Sequence, residues 1–542
     1  MIFIIVYGRF SLIKFWSLKT KTEDIIMIKK FLQFQSQEER EWLLRKIMKD
    51  IYPNFQPGRC NPLPRYSLDE VALTDRYSEV APSDVDLSVS CGNIRLAAPL
   101  LTAPMDTLSG SELGQAAFEL GMGCIIYRHK KAEVQFEWIK QIINHSPCFV
   151  HQPKTLGSAD TLEDAADILQ KYHYSTIPAV NADKKLLGIL FTKNAALKEN
   201  VSEPVTKWMT PLKDLITIKP AEKFEIVRKR LLSERGCSVL PVVDDNGVFC
   251  GMYFRKDCRP AKPAYHNGKP LVGMAVSVNP EDIKRAKKGL ELGVSLIVID
   301  SSHGNCPPVI EQADKIVKII VTIAELYGAA VIAGNVASID GYLRLAEVGV
   351  DAVKVGIGSG SICTTSLVTG VGVPMFSLIR ECVCTREYLI SEGKHAPIII
   401  ADGGINNTGQ IVKALAAGAH LCMAGKYFAA AQESLAAVDS GARAGDLVYY
   451  RGMASRGAIR DRSASFRYGT GKQAPEGVEG FVECRGPLKS WWPQDEELIC
   501  GGLSHVGAAT IEDLHKIGNE PYIWSLLSSA GQRQMETRVL RE

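Results

Sequence analysis

Eight short apolar runs, each closed by a glycine or a polar residue, restrict the fold of this chain more than any other feature. They are LLTAPMD at 100–106, GCIIY at 123–127, LVGMAV at 271–276, LIVID at 296–300, AVIAGN at 330–335, AVKVG at 352–356, IIIADGG at 398–404 and LCMAG at 421–425. Between them stand patterns such as PEDIKRAKKGLELG and NTGQIVKALAAG, apolar at helical spacing and ending in glycine. Continuous apolar strands alternating with helices predict an α/β fold, a parallel (β/α)8 TIM barrel buried on both faces. A doubly wound open sheet shares the alternation and is the alternative.

The rhythm breaks once, between the second and third runs, where residues 151–262 repeat internally. IPAVNADKKLLGILFTKN aligns with LPVVDDNGVFCGMYFRKD, so that Pro178, Gly188 and Lys193 map onto Pro241, Gly251 and Lys256, each offset by 63. Each copy reads as helix, strand, turn, strand, and is too small to bury a core alone. The tandem resembles a pair of CBS domains, a module that often binds adenine or guanine nucleotides between its copies; a plain spacer domain is the alternative. The predicted division is an N-terminal extension at 1–64, partly disordered, then the first part of the barrel at 65–150 and the CBS pair at 151–262. The rest of the barrel follows at 263–515, with a flap at about 450–486, and a C-terminal tail at 516–542.

Composition narrows the function classes. With 63 basic against 60 acidic residues, the net charge of +3 gives no global pull toward nucleic acid or an acidic membrane. Fourteen cysteines are scattered without metal-ligand spacing, which predicts reduced thiols in the cytosol. The opening MIFIIVY is apolar, but Arg9 and Lys14 interrupt it well before the roughly 20 apolar residues of a membrane span. Residues 1–26 read as an extension, with Met27 as an alternative start. Residues 28–75 are expected to be polar and irregular, broken by Pro53, Pro57, Pro62 and Pro64.

The sixth run leads into a loop with Gly356, Gly358 and Gly360 at alternate positions, which then delivers Cys363, Thr364 and Thr365. Glycines at this density let a backbone turn tightly and approach a ligand. Cys363 reads either as a nucleophile or as a buried thiol in a glycine-rich turn. Active sites of such barrels lie at the C-terminal ends of the strands, and those ends supply Met105, Asp106, Asp300, Ser301, Ser302, Asn335, Asp402, Gly404, Gly425 and Lys426. The loops after the seventh and eighth runs, ADGGINNTG and AGKYF, suit a phosphate, because their glycines free N–H groups at helix starts. Asp402 would repel a phosphate and is better placed to hold a ribose diol.

These segments, with YSEVAPSDVDLS at 77–88, APMDT at 103–107, IDSSHGN at 299–305, AGNVAS at 333–338, KVGIGSGSICTT at 354–365, YRGMAS at 450–455 and PEGVEG at 475–480, resemble the IMP dehydrogenase / GMP reductase superfamily, and within it the dehydrogenases. The resemblance implies NAD-dependent oxidation of IMP to xanthosine monophosphate. Cys363 would add to carbon 2 of the purine, hydride would pass to NAD, and water would hydrolyse the covalent adduct. It implies that the flap pair Arg467 and Tyr468 activates that water, with Thr365 and Glu476 as a second proton path. Met105, Asn335, Ser361, Asp402, Gly404, Gly425, Lys426, Tyr450, Gly452 and Met453 would hold IMP. Asp300, Ser301, Ser302 and Gly356 would face NAD, and the carbonyls of Gly358, Gly360 and Cys363 would bind K+. A homotetramer is the implied assembly.

Several positions depart from the family pattern. Ser366 stands where arginine or glutamine is common, Met375 where glutamine is, and Ala454 where glycine is. The flap is short, and the tail SSAGQRQMETRVLRE lacks the usual glutamate–glycine segment of the K+ site. GMP reductase, which converts GMP to IMP with NADPH, is therefore the second reading. A catalytically weak, nucleotide-sensing homologue is the third.

Overall fold

The computed structural model describes residues 37–51, 64–172, 174–192, 201–220, 222–233, 237–259, 261–461 and 473–528. The chain forms two compact units, one of residues 1–145 with 263–542 and the other of residues 146–262.

The first unit is a closed parallel barrel. Its strands are β1 (Leu100–Thr102), β2 (Gly123–Ile126), β3 (Gly273–Val276), β4 (Leu296–Asp300), β5 (Ala330–Val336), β6 (Ala352–Val355), β7 (Ile398–Asp402) and β8 (Leu421–Ala424). Closure comes from Met423 opposite Leu101 and from Gly273 opposite Ile125. All eight apolar runs thus become barrel strands, and the open-sheet alternative falls away. The runs read as unbroken because both faces of each strand are covered, by the barrel interior and by the helices outside. Helix ends follow local chemistry. The helix Asp282–Leu292 stops at Gly293 (φ 104°), and Asn407 caps Thr408–Ala416 by accepting from the Gln410 N–H. After β8, an antiparallel hairpin of β9 (Leu447–Arg451) and β10 (Glu479–Glu483) stands over the C-terminal rim, with Tyr450 opposite Gly480.

One expectation fails at the N-terminus. Residues 28–75 are not irregular throughout, because Gln37–Ile51 forms a helix that ends before Pro53. Leu43 and Ile47, four apart, are buried, and Arg40 Nε donates to Glu347 across 3.0 Å. That packing outweighs the polar composition on which the expectation rested.

The second unit shows its repeat in the hydrogen-bond ladders. Thr176–Val180 pairs antiparallel with Leu186–Phe191, and Val239–Val243 with Phe249–Phe254. Pro178 opposes Ile189 as Pro241 opposes Met252, and the register slips after Ala179 in one copy and after Val242 in the other. A helix precedes each hairpin, Leu162–Tyr172 and Phe224–Ser233. Ile189 of the first copy packs with Val239 and Met252 of the second, so part of the core belongs to neither alone.

Candidate active site

The cysteine loop is fixed by main-chain contacts. Gly356 has φ 134°, and a Cβ there would lie 2.1 Å from the Asp402 carbonyl, so only glycine fits. Cys363 N–H donates to Gly360 O (3.0 Å), Thr364 N–H to Glu476 O (3.0 Å) and Val478 N–H to Ile362 O (3.0 Å). Cys363 and Gly477 therefore form a small antiparallel bridge. The side chains continue the connection: Cys363 Sγ donates to Thr365 Oγ1 (3.2 Å), which donates to Glu476 Oε2 (3.1 Å). A thiol held this way, half-buried and followed by a hydroxyl and a carboxylate, has a route by which its proton can leave.

This relay opens on a cavity of about 150 Å³. All ten residues read from the sequence as substrate ligands line it. Met105, Asn335 and Asp402 come from the ends of β1, β5 and β7, and Ser361 from the cysteine loop. Gly404, Gly425 and Lys426 come from the two glycine turns, and Tyr450, Gly452 and Met453 from the hairpin. Thr365, Glu476, Ser302, Gly356, Gly358 and Gly360 share the same wall. The Tyr450 hydroxyl points at Met105 Sδ (3.7 Å) and would strike any Cβ at Gly425 at 2.5 Å. Burial pushes the Tyr450 phenol up, a hydrogen bond with Ser361 opposing and the Asp402 charge adding to it.

Two predicted residues sit differently. Asp300 is 2% exposed and lies beneath the cavity rather than in its wall. It ends a strand covered on both faces, where its carboxylate meets the Lys354 ammonium at 2.8 Å. Ser301 accepts the His303 N–H through its hydroxyl (3.3 Å) and does not line the cavity. Arg467 and Tyr468 lie outside the described residues.

Reasoning from sequence missed Lys354 and Arg451. Lys354 interrupts the apolar run AVKV and is fully buried, donating also to Asp402 Oδ2 (3.0 Å). A lysine within a strand covered on both faces is the signal that was available, since its charge demands carboxylates nearby. Arg451 pairs with Asp106 (2.6 Å) and Asp461 (2.7 Å), tying the hairpin to the turn after β1. Asp106 N–H meanwhile points at Met453 Sδ (3.4 Å).

The residues fit a nucleotide monophosphate. Gly403 and Gly404 adopt φ 104° and 73°, turning main chain toward the cavity, and Lys426 adds a cation. Asp402 Oδ2 accepts from Asn335 (2.8 Å) and Lys354, while Oδ1 accepts from no described residue. A nicotinamide partner has both Ser302 and Cys363 in the lining of the cavity, which fits. For K+, Gly360 O already accepts the Cys363 N–H, and three loop carbonyls make an incomplete shell.

A family model described as IMP dehydrogenase / GMP reductase domain matches residues 65–536. The inosine-5'-monophosphate dehydrogenase of Aquifex aeolicus is 37% identical over 476 residues, covering 83% of this chain and 91% of that protein. The enzyme of the same name from Rhodopirellula baltica is 35% identical over 469 residues, covering 83% and 82%. Among solved structures, a cysteine-to-alanine variant of GMP reductase from Trypanosoma brucei, in complex with guanosine 5'-monophosphate, superposes with a TM-score of 0.61. It is 26% identical, over 90% of this chain and 100% of that one. The match to that family model over residues 65–536, with relatives at 34–37% identity over most of the chain, places this chain in the IMP dehydrogenase / GMP reductase family.

Proposed function

We propose that this chain oxidises IMP to xanthosine monophosphate with NAD, through a covalent adduct on Cys363. The observation that carries the reading is the Cys363–Thr365–Glu476 chain of hydrogen bonds opening on a cavity that is also lined by the two glycine turns, Lys426 and Asp402. The glycine turns and Lys426 would hold the phosphate, Asp402 the ribose hydroxyls, and Met105 and Tyr450 the base, leaving carbon 2 against Cys363. NAD, when bound, accepts the hydride that leaves carbon 2. Cys363 first gives its proton along Thr365 to Glu476 as its sulfur bonds to carbon 2, whose double bond to nitrogen opens onto that nitrogen. The double bond re-forms as hydride leaves, and Glu476 releases its proton to solvent. After hydride departure the carbon remains bonded to sulfur until water displaces the thiol. Glu476, through Thr365, would take the proton of that water and return it to the departing Cys363 sulfur, and the resemblance adds Arg467 and Tyr468 to the water's activation.

GMP reduction is the second reading, favoured by the structural neighbours named GMP reductase. The relay would serve it too, carrying a proton toward departing ammonia. The IMP dehydrogenase names of the relatives at 34–37% identity favour the first reading. We also read residues 146–262 as a tandem CBS pair, supported by the two matching ladders.

Incubating the protein with IMP plus NAD, and separately with GMP plus NADPH, and following nicotinamide absorbance decides between the two enzymes. Cys363→Ala should abolish turnover while leaving nucleotide affinity within about tenfold. Residual turnover in that variant, or no adduct by mass spectrometry in the parent, would refute the covalent mechanism.

A further inference from the structure

Beneath the cavity floor, one ammonium is shared by carboxylates from two strands. Lys354 Nζ on β6 donates to Asp300 Oδ1 at the end of β4 (2.8 Å) and to Asp402 Oδ2 at the end of β7 (3.0 Å). Asn335 Nδ2 on β5 donates to the same Asp402 oxygen (2.8 Å), and Met423 Sδ on β8 lies 3.7 Å from the ammonium. Lys354 is fully buried and Asp300 nearly so. Of the three charged groups, only Asp402 reaches the cavity.

Two carboxylates this close in a water-poor layer cannot both stay ionised without a cation between them. The lysine supplies that cation, and it does so from a rigid strand. We propose that Lys354 is a positioning residue for the substrate: its ammonium offsets the charge of Asp300 and fixes Asp402 with one oxygen turned to the vicinal hydroxyls of a nucleotide ribose. Asp300 is then the counter-ion of the lysine and acts on the substrate through it. This rests on the nucleotide reading above. The other titratable groups lining the cavity that Asp402 reaches are Tyr450, whose phenol feels the Asp402 charge, with Lys426, Cys363 and Glu476.

The test uses the full-length protein and one probe, IMP, with affinity read as protection of Cys363 from alkylation across about pH 6 to 9. Lys354→Met leaves Asp300 and Asp402 to share a proton. IMP should then bind at least about tenfold more weakly, with an affinity that varies with pH. Adding Asp300→Asn leaves Asp402 alone, so the double variant should return to within about threefold of the parent and lose the pH dependence. Lys354→Arg, which keeps the charge, should retain most of the affinity. A lysine that only filled space would give none of this pH signature. Unchanged affinity in Lys354→Met, or a double variant no better than the single, overturns the role. If Lys354→Met fails to fold, the folded double variant decides: IMP binding within about tenfold of the parent supports the role, and weaker binding overturns it. A parent protected by GMP but not IMP moves the same cycle to GMP. A parent protected by neither overturns the nucleotide reading itself, before the lysine is tested.

Discussion

The Thr365 hydroxyl donates to Glu476 Oε2 across 3.1 Å, although 111 positions separate the two residues in the chain. That bond joins the loop after β6 to the segment leading into β10. It brings together two side chains far apart in the sequence. If Glu476 receives protons from the cysteine and later from water, Glu476→Gln should lower turnover by about two orders of magnitude. IMP affinity should stay close to that of the parent, and Thr365→Val should show the same pattern. Near-normal turnover in both variants, measured at saturating IMP and NAD, removes the relay from the mechanism.

The flap residue Arg467 is assigned by resemblance, and kinetics can test it directly. Arg467→Ala should lower steady-state turnover by about a hundredfold, or about 2.7 kcal/mol of barrier. A rapid first burst of NADH, equivalent to the Cys363 present, should survive, because hydride departure precedes hydrolysis. A variant that loses the burst along with turnover, or one that turns over IMP normally, speaks against a hydrolytic role.

The barrel unit is prepared to close over the loss of residues 146–262. At its two broken ends, the rings of His145 and Tyr265 both lie edge-on to Phe118, with centroids 6.3 and 5.1 Å away. His145 Nε2 also lies 2.7 Å from Glu119. A short Gly-Ser linker should therefore replace the second unit and leave a folded, active barrel. ATP or GTP should then alter the kinetics of the full-length protein only. Identical responses from the two proteins would make the repeat a spacer.

Acid should strip a measurable share of stability from one buried carboxylate. Burial opposes ionisation of Asp282, but Arg128 (2.6 and 2.9 Å) and Ser277 (2.7 and 2.9 Å) outweigh it and hold its carboxyl below the ordinary range. The folded pKa is thus lower than the unfolded one. The stabilisation is complete above about pH 4 and is lost as pH falls through the folded value. Asp282→Asn should cost about 3–5 kcal/mol at neutral pH, and its deficit should shrink in urea unfolding below about pH 4. A deficit independent of pH would locate the effect in packing instead.

The barrel was legible because its strands are buried twice over and so leave runs such as LIVID and IIIAD intact. The rim was legible for a related reason, since Asn335 and Asp402 end such runs where the active face must be. The charges beneath were not. Lys354 sits inside an apolar run, and only the closing of β4, β6 and β7 into one barrel shows that two carboxylates meet it. For the same reason, Asp300 read as a rim ligand. The helix Gln37–Ile51 was hidden by its polar composition, although Leu43, Leu44, Ile47 and Met48 pack it against the core.

The bridge between Cys363 and Gly477 is made of peptide groups. Peptide groups are what every residue type except proline has in common, so the spacing between nucleophile and relay is insulated from most single substitutions around it. Ser366 and Ala454 stand close to this bridge in sequence and differ from the common residues, yet the N–H groups of Thr364 and Glu476 still find their carbonyls at 3.0 Å. Side chains around the bridge can therefore change while the main-chain spacing of Cys363 from Glu476 stays as it is.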